Sequence, residues 1–168
     1  ERVLKEAVAT SGSKRGTAIV LDVATGEVLA LVDIASSNTT GEARVTHSSG
    51  AYINSFEPGS VTKPFTIAAA LEEGSIAPDQ IIDVPHRYKY SDKVFKEPYV
   101  YEDRQFSIAQ ILAKSSNIGT ILIAEKLGKD HLYLYLRDFG FGEFTSGQAD
   151  IRAWPNETRG KLHPATEW

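Results

Sequence analysis

The chain has 168 residues, with 18 Lys+Arg against 22 Asp+Glu and a net charge of −4. At 42% hydrophobic and 24% charged, it has the make-up of a globular chain that suits one domain or a large part of one. The acidic excess argues against a nucleic-acid partner, and the absence of Cys excludes disulfides, thiolate zinc sites and a Cys nucleophile. The longest apolar runs, near Ile67–Leu71 and Ile118–Ala124, fall far short of the ~20 residues that cross a bilayer. No signal-peptide pattern opens the sequence, so an anchor or export signal of a longer parent is expected outside it.

In chain order, Val3, Leu4, Ala7 and Val8 share one face of a helix over Glu1–Thr10 that Gly12 can close. The runs Gly16–Val23 and Glu27–Asp33 flank Ala24-Thr25-Gly26 and predict a β-hairpin. The first strand is apolar on both faces, which predicts a central strand covered on both sides. Such a hairpin needs further strands and a helical layer. Ile34–Asn54 is rich in Ser, Thr, Gly and Asn and reads as a loop. Gly59–Gly74 predicts a buried helix whose first turn is distorted, because Pro64 cannot donate to the Ser60 carbonyl. Ser75–Tyr101 predicts irregular chain with short strands. Ser107 with Gln110 forms a capping box opening a helix through Lys114. Ile118–Leu127, closed by Gly128, and Asp130–Phe139, stopped by Gly140, predict two more. Beyond Phe141 the chain turns irregular. The organisation is thus a helix and hairpin over 1–33, a loop over 34–55, a helical core over 56–140 and an irregular end over 141–168.

Several site types drop out. His47, His86, His131 and His163 lie far apart and suggest no metal site. There is no GxSxG elbow, and Gly140-Phe141-Gly142 follows a helix instead of a strand, so it is no dinucleotide loop. Asn38-Thr39-Thr40 and Asn156-Glu157-Thr158 are glycosylation sequons by pattern only.

Ser60-Val61-Thr62-Lys63 remains. Residues three apart on a helix share a face, so Lys63 can reach Ser60. A serine attacks only when a neighbour takes its proton, and lysine does so only when neutral. Burial against the apolar helix lowers its pKa toward that state. The short pattern is weak alone, since Ser11-Gly12-Ser13-Lys14 repeats it in a polar loop. The companion pattern S-x-N also occurs twice, at Ser36-Ser37-Asn38 and Ser115-Ser116-Asn117. Only Ser60 opens a buried helix, and only Ser115 and Asn117 lie at a tight junction between helices. There a hydroxyl and an amide can relay a proton and hold a substrate amide. The competing reading of that junction is a plain helix-to-helix turn in which Asn117 caps the next helix.

Phe56-Glu57-Pro58-Gly59-Ser60-Val61-Thr62-Lys63-Pro64 and Lys114-Ser115-Ser116-Asn117-Ile118-Gly119 resemble the first two active-site motifs of penicillin-binding transpeptidases. The hairpin from Lys14 to Ala30 and Phe139-Gly140-Phe141-Gly142 resemble that domain's first strands and mid-domain loop. The wording is closest to class B, division-type enzymes. The resemblance implies an α+β fold of α/β/α type, the penicillin-binding transpeptidase and serine β-lactamase-like fold. Here it would be incomplete, with the N-terminal hairpin of an antiparallel sheet plus the helical lobe. It implies Ser60 as the acylated nucleophile, Lys63 as general base, Ser115 as proton shuttle and Asn117 as the group orienting a stem peptide. It implies no cofactor and no metal. The implied partners are peptidoglycan stem peptides, β-lactams as covalent ligands and cell-division proteins, at the extracytoplasmic face of the bacterial cytoplasmic membrane. The third motif of the family, K-[ST]-G, does not follow Asn117. The expectation is therefore a truncated domain with little turnover by itself. Two other readings stay open: a serine β-lactamase or β-lactam sensor, and a non-catalytic scaffold.

Overall fold

A computed structural model describes residues 1–37, 41–46, 49–97, 102–148 and 150–167. The chain divides into two compact units, one of residues 1–56 with 144–160 and one of residues 57–143 with 161–168. His47 and the Asn38–Thr40 sequon lie outside the described residues.

The first unit begins with α1 (Arg2–Ser11), closed by Gly12 at φ 65°. Of the four residues expected on its inner face, Val8 is buried and Leu4 half-buried, whereas Val3 and Ala7 are exposed. The face is narrow because α1 packs at Gly16, where a Cβ would come within 2.6 Å of Val8. Strands β1 (Arg15–Leu21) and β2 (Val28–Ser36) form the expected hairpin, in register from Arg15↔Ala35 to Val20↔Ala30 with a slip at Val20/Leu21. Asp22 Oδ1 fixes the turn, accepting from the N–H groups of Ala24 and Thr25 and from Thr25 Oγ1.

Two expectations are corrected here. Among the described residues β1 lies at one end of the order β1-β2-β3, not between two strands, and Ile19, Val20 and Leu21 are about half exposed. Apolar residues on both faces of β1 signal cover from two sides, but among the described residues only β2 pairs with it. The segment 34–54 is not simply a loop. β2 continues through fully buried Ile34, β3 (Ala43–Val45) pairs Val45 with Ile34, and α2 (Gly50–Ile53) follows. The cause is Asp33, a buried carboxylate that accepts from Thr17 Oγ1 at 2.6 Å, Gly50 N–H at 2.8 Å and Thr46 Oγ1 at 2.9 Å. Thr46 and Gly50, which read as loop formers, thus serve as two of its three donors. Residues 144–160 are organised the same way around buried Glu157, which binds Thr145, Ala153 and Trp154.

In the second unit a 3-10 turn (Gly59–Thr62) leads into α3 (Lys63–Glu72), so the first turn is distorted as the proline demands. Four short strands follow: β4 (Ile81–Val84), β5 (Arg87–Tyr90), β6 (Lys93–Lys96) and β7 (Arg104–Ser107). β4 pairs with β7, and β5 with β6, each antiparallel. The Ser107–Gln110 capping box opens α4 (Ile108–Ala113), and α5 (Asn117–Leu127) and α6 (Lys129–Asp138) complete the helices.

Ile67, Ala69 and Ala70 of α3 are buried in one core with Ile111, Ile118, Ile123 and Leu127. Each fully buried Ile contributes about 1.5–3 kcal/mol. Small Ala69 and Ala70 suit close approach of α3 to its neighbours. The Phe139–Gly142 motif has a packing role: Gly140 at φ 90° ends α6, and Phe139 and Phe141 both meet the ring of Phe65 edge-on, at 4.9 and 5.2 Å.

Candidate active site

Lys63 is the first residue of α3 and only 8% exposed, although it is a lysine. Its burial is possible because its nitrogen is fully engaged. Nζ donates to the Ser115 carbonyl at 2.5 Å, to Asn117 Oδ1 at 2.7 Å and to Ser115 Oγ at 3.0 Å. Those are the three donors an ammonium has. Burial pushes the Lys63 amine below the ordinary lysine range, against the opposing field of Glu97.

The backbone explains how Ser115 presents two oxygens to one amine. α4 ends in a Schellman motif: Ser115 N–H bonds to Leu112 O at 3.0 Å and Ser116 N–H to Ile111 O at 2.9 Å. That motif requires a left-handed residue between the helices, usually glycine, yet Ser115 occupies it at φ 52°. The serine is held in a conformation that costs energy, at the point where its side chain meets Lys63.

The next residue, Ser116, is 1% exposed and caps α5 by accepting from Gly119 N–H at 2.9 Å. The cap of this helix is therefore Ser116, not Asn117 as the plain-turn reading required, and the Asn117 side chain is left to meet Lys63. Gly119 is needed for this closure, since a Cβ there would lie 2.7 Å from Ser116 Oγ and 2.8 Å from Ile111. Glu97, directly after β6 and 7% exposed, accepts from Ser116 Oγ and Ile118 N–H, both at 2.7 Å.

Ser60 is exposed on the 3-10 turn, and its carbonyl accepts from Lys63 N–H. Among the described residues, Lys63 Nζ has no hydrogen bond to Ser60 Oγ; it is turned to Ser115 and Asn117. Thus three of the four residues singled out by sequence meet at one nitrogen, with the fourth one turn away. Neither Glu97 nor Ser116 was singled out. Ser116 carries a signal in hindsight, a serine three residues before Gly119 at a helix start. Glu97 carries none, because it sits in a stretch that reads as irregular. Among the described residues no cluster of His, Asp or Glu could hold a metal ion.

The architecture is an α+β domain with an SxxK helix set against an SxN junction. The penicillin binding protein transpeptidase domain matches residues 16–166, and the chain belongs to that family. It is 35% identical over 170 residues to a probable peptidoglycan D,D-transpeptidase PenA of Neisseria flavescens, covering 98% of this chain and 40% of the relative. It is 33% identical over 162 residues to penicillin-binding protein PbpB of Mycolicibacterium smegmatis, covering 94% of this chain and 24% of that protein. In three dimensions it resembles penicillin binding protein 3 of Mycobacterium tuberculosis, solved in complex with aztreonam. The TM-score is 0.83 at 28% identity, covering 99% of this chain and 37% of that one. The chain thus spans between a quarter and two fifths of the length of these relatives.

Proposed function

We propose that this chain supplies the nucleophile, base and proton relay of a penicillin-sensitive D,D-transpeptidase. Ser60 Oγ attacks the carbonyl carbon of the penultimate D-Ala of a stem peptide while neutral Lys63 Nζ takes its proton. The tetrahedral intermediate then collapses with cleavage of the C–N bond. The proton passes from Lys63 through Ser115 Oγ to the departing D-Ala amine. An amine of a neighbouring strand attacks the Ser60 ester, gives up its proton by the reverse route and frees the serine. Asn117 orients the peptide backbone. β-Lactams enter the first half of the same sequence and leave Ser60 acylated.

The observation that carries this reading is the sharing of one buried Nζ by Ser115 and Asn117. A neutral amine keeps two donors and a lone pair. The two shortest contacts, to Ser115 O and Asn117 Oδ1, suit the two donors that remain, and loss of the third proton, which points to Ser115 Oγ at 3.0 Å, leaves the lone pair that takes the Ser60 proton. Family membership and the names of the relatives support the same chemistry. The work of such an enzyme lies where peptidoglycan does, on the extracytoplasmic face of the membrane. No described helix is long and apolar enough to cross that membrane. The division-type wording around Ser60 and Ser115 supports cell-division proteins as partners.

A fluorescent penicillin tests the proposal. Acylation is a single event, so it is measurable even where turnover is small. Intact mass and peptide mapping should find one stable adduct on Ser60, absent from Ser60→Ala. An adduct elsewhere, none after prolonged incubation, or rapid hydrolysis of the drug would each overturn the assignment.

A further inference from the structure

The Glu97 carboxylate is buried beside the SxN junction and binds it on both sides of Asn117. One oxygen, Oε1, accepts from the Ser116 hydroxyl and from the Ile118 N–H, each at 2.7 Å. Ser116 and Ile118 are the immediate neighbours of Asn117 in the chain. Ser116 Oγ passes the restraint on by accepting from Gly119 N–H at 2.9 Å. Side chain and backbone at the head of α5 are thus fixed at Ser116, Ile118 and Gly119, around a residue whose own side chain touches Lys63.

This arrangement exceeds what capping a helix requires. Ser116 caps α5 already, so a carboxylate is not needed to satisfy the Gly119 N–H. What Glu97 adds is a pair of bonds from a carboxylate that is only 7% exposed. A buried carboxylate is retained only when its hydrogen bonds offset the cost of removing it from water. Here they are made to the junction that carries all three acceptors of Lys63. Among the described residues Glu97 is also the charged group whose field acts on Lys63; the direct partners of Nζ on Ser115 and Asn117 are neutral.

We infer that Glu97 is a positioning residue that, through its bonds to Ser116 and Ile118, holds Ser115 and Asn117 against Lys63. The part of the inference that concerns acylation rests on the transpeptidase reading above; the part that concerns Lys63 does not. Two effects separate the carboxylate's shape from its charge. Glu97→Gln keeps an oxygen able to accept from Ser116 and Ile118 but removes the charge. Glu97→Ala removes both. Because the charge of Glu97 favours protonated Lys63, its loss lets the amine release its proton at lower pH.

Two readouts test this on the full chain. The first is the titration of Lys63, followed by NMR of labelled lysine Cε and assigned with Lys63→Arg. The second is the pH dependence of acylation by a fluorescent penicillin. In Glu97→Gln the Lys63 midpoint and the rising limb of acylation both move to lower pH, with the rate at its own optimum within about tenfold of the parent. In Glu97→Ala the displaced junction costs about 10²-fold in rate, and Glu97→Asp recovers part of it. Circular dichroism checks that each variant is folded; should Glu97→Ala unfold, Glu97→Gln decides. Folded variants with an unchanged Lys63 midpoint and unchanged acylation would overturn the inference. If the parent forms no adduct but the Lys63 midpoint still moves in Glu97→Gln, the transpeptidase reading fails and the positioning role stands.

Discussion

Lys63 Nζ lies 2.5 Å from the main-chain oxygen of Ser115, a residue 52 positions further along the chain and held in a left-handed conformation. A helix start and a helix end are joined through one nitrogen. The contact accounts both for the burial of a lysine and for the placing of a serine where glycine is expected.

Replacing that amine separates chemistry from folding. Lys63→Met keeps the bulk of the side chain and removes the base. Acylation of Ser60 should fall by about 10²–10⁴. The Ser115 carbonyl and Asn117 Oδ1 lose their donor, so stability should fall by about 1–3 kcal/mol. Mass spectrometry reads the first effect and urea denaturation the second.

The pH dependence has a defined sign. Burial lowers the Lys63 pKa in the folded chain, so the unfolded chain binds more protons between the folded and the ordinary value. Stability attributable to Lys63 should therefore rise with pH across that window. Acylation should rise as pH approaches the lowered value from below, because the neutral amine is the base. Comparing the parent with Lys63→Met across pH isolates both trends; a pH-independent difference would contradict them.

Ser115 offers a test of stored strain. Ser115→Gly and Ser115→Ala both remove the hydroxyl and should both slow acylation. Only glycine relaxes at φ 52°. The glycine variant should exceed the alanine variant in stability by about 1 kcal/mol, measured as a difference in denaturation midpoint at equal slope.

Gly119→Ala sets helix propensity against packing. Alanine gains about 1 kcal/mol in a helix interior. The added Cβ, however, would lie 2.7 Å from Ser116 Oγ and 2.8 Å from Ile111, both of them buried. Ser116 Oγ is held by Glu97, so it cannot simply swing away. Overpacking costs about 1–3 kcal/mol and should win, leaving a variant that is less stable and acylates more slowly.

In the other unit, Glu157 should be a pH-dependent staple. Burial pushes its carboxyl upward, but hydrogen bonds from Thr145, Trp154 and Ala153 outweigh this and hold it below the ordinary range. A carboxylate lowered by folding adds stability above its unfolded pKa and loses it as pH falls through the folded value. Glu157→Gln turns an amide donor toward backbone donors and should cost about 1–3 kcal/mol at neutral pH. That deficit should shrink in acid, as thermal melts across pH would register.

The parts of this molecule that follow local rules could be read directly from the residues. Gly12 closes α1, Ser107 and Gln110 cap α4, and Pro64 converts the first turn of the SxxK helix to 3-10 form. Each depends on neighbours within a few positions. The failures lie where a distant group decides the structure. Residues 34–54 read as a loop because their polarity is local, while the Asp33 carboxylate gathers Thr17, Thr46 and Gly50 around it. Glu97 is illegible for the same reason: its partners Ser116 and Ile118 lie 19 and 21 residues away. The Asn156-Glu157-Thr158 pattern shows the converse, since its middle residue is a buried acceptor hub whatever the sequon suggests.

The position of β1 has a practical consequence for anyone handling this chain. Its outer row of amides and carbonyls has no strand beside it among the described residues, and its side chains are greasy on both sides. Such a ribbon recruits further ribbons, including copies of itself. Concentrated solutions should scatter light increasingly with time, and a lysine placed at Ile19 should suppress the effect.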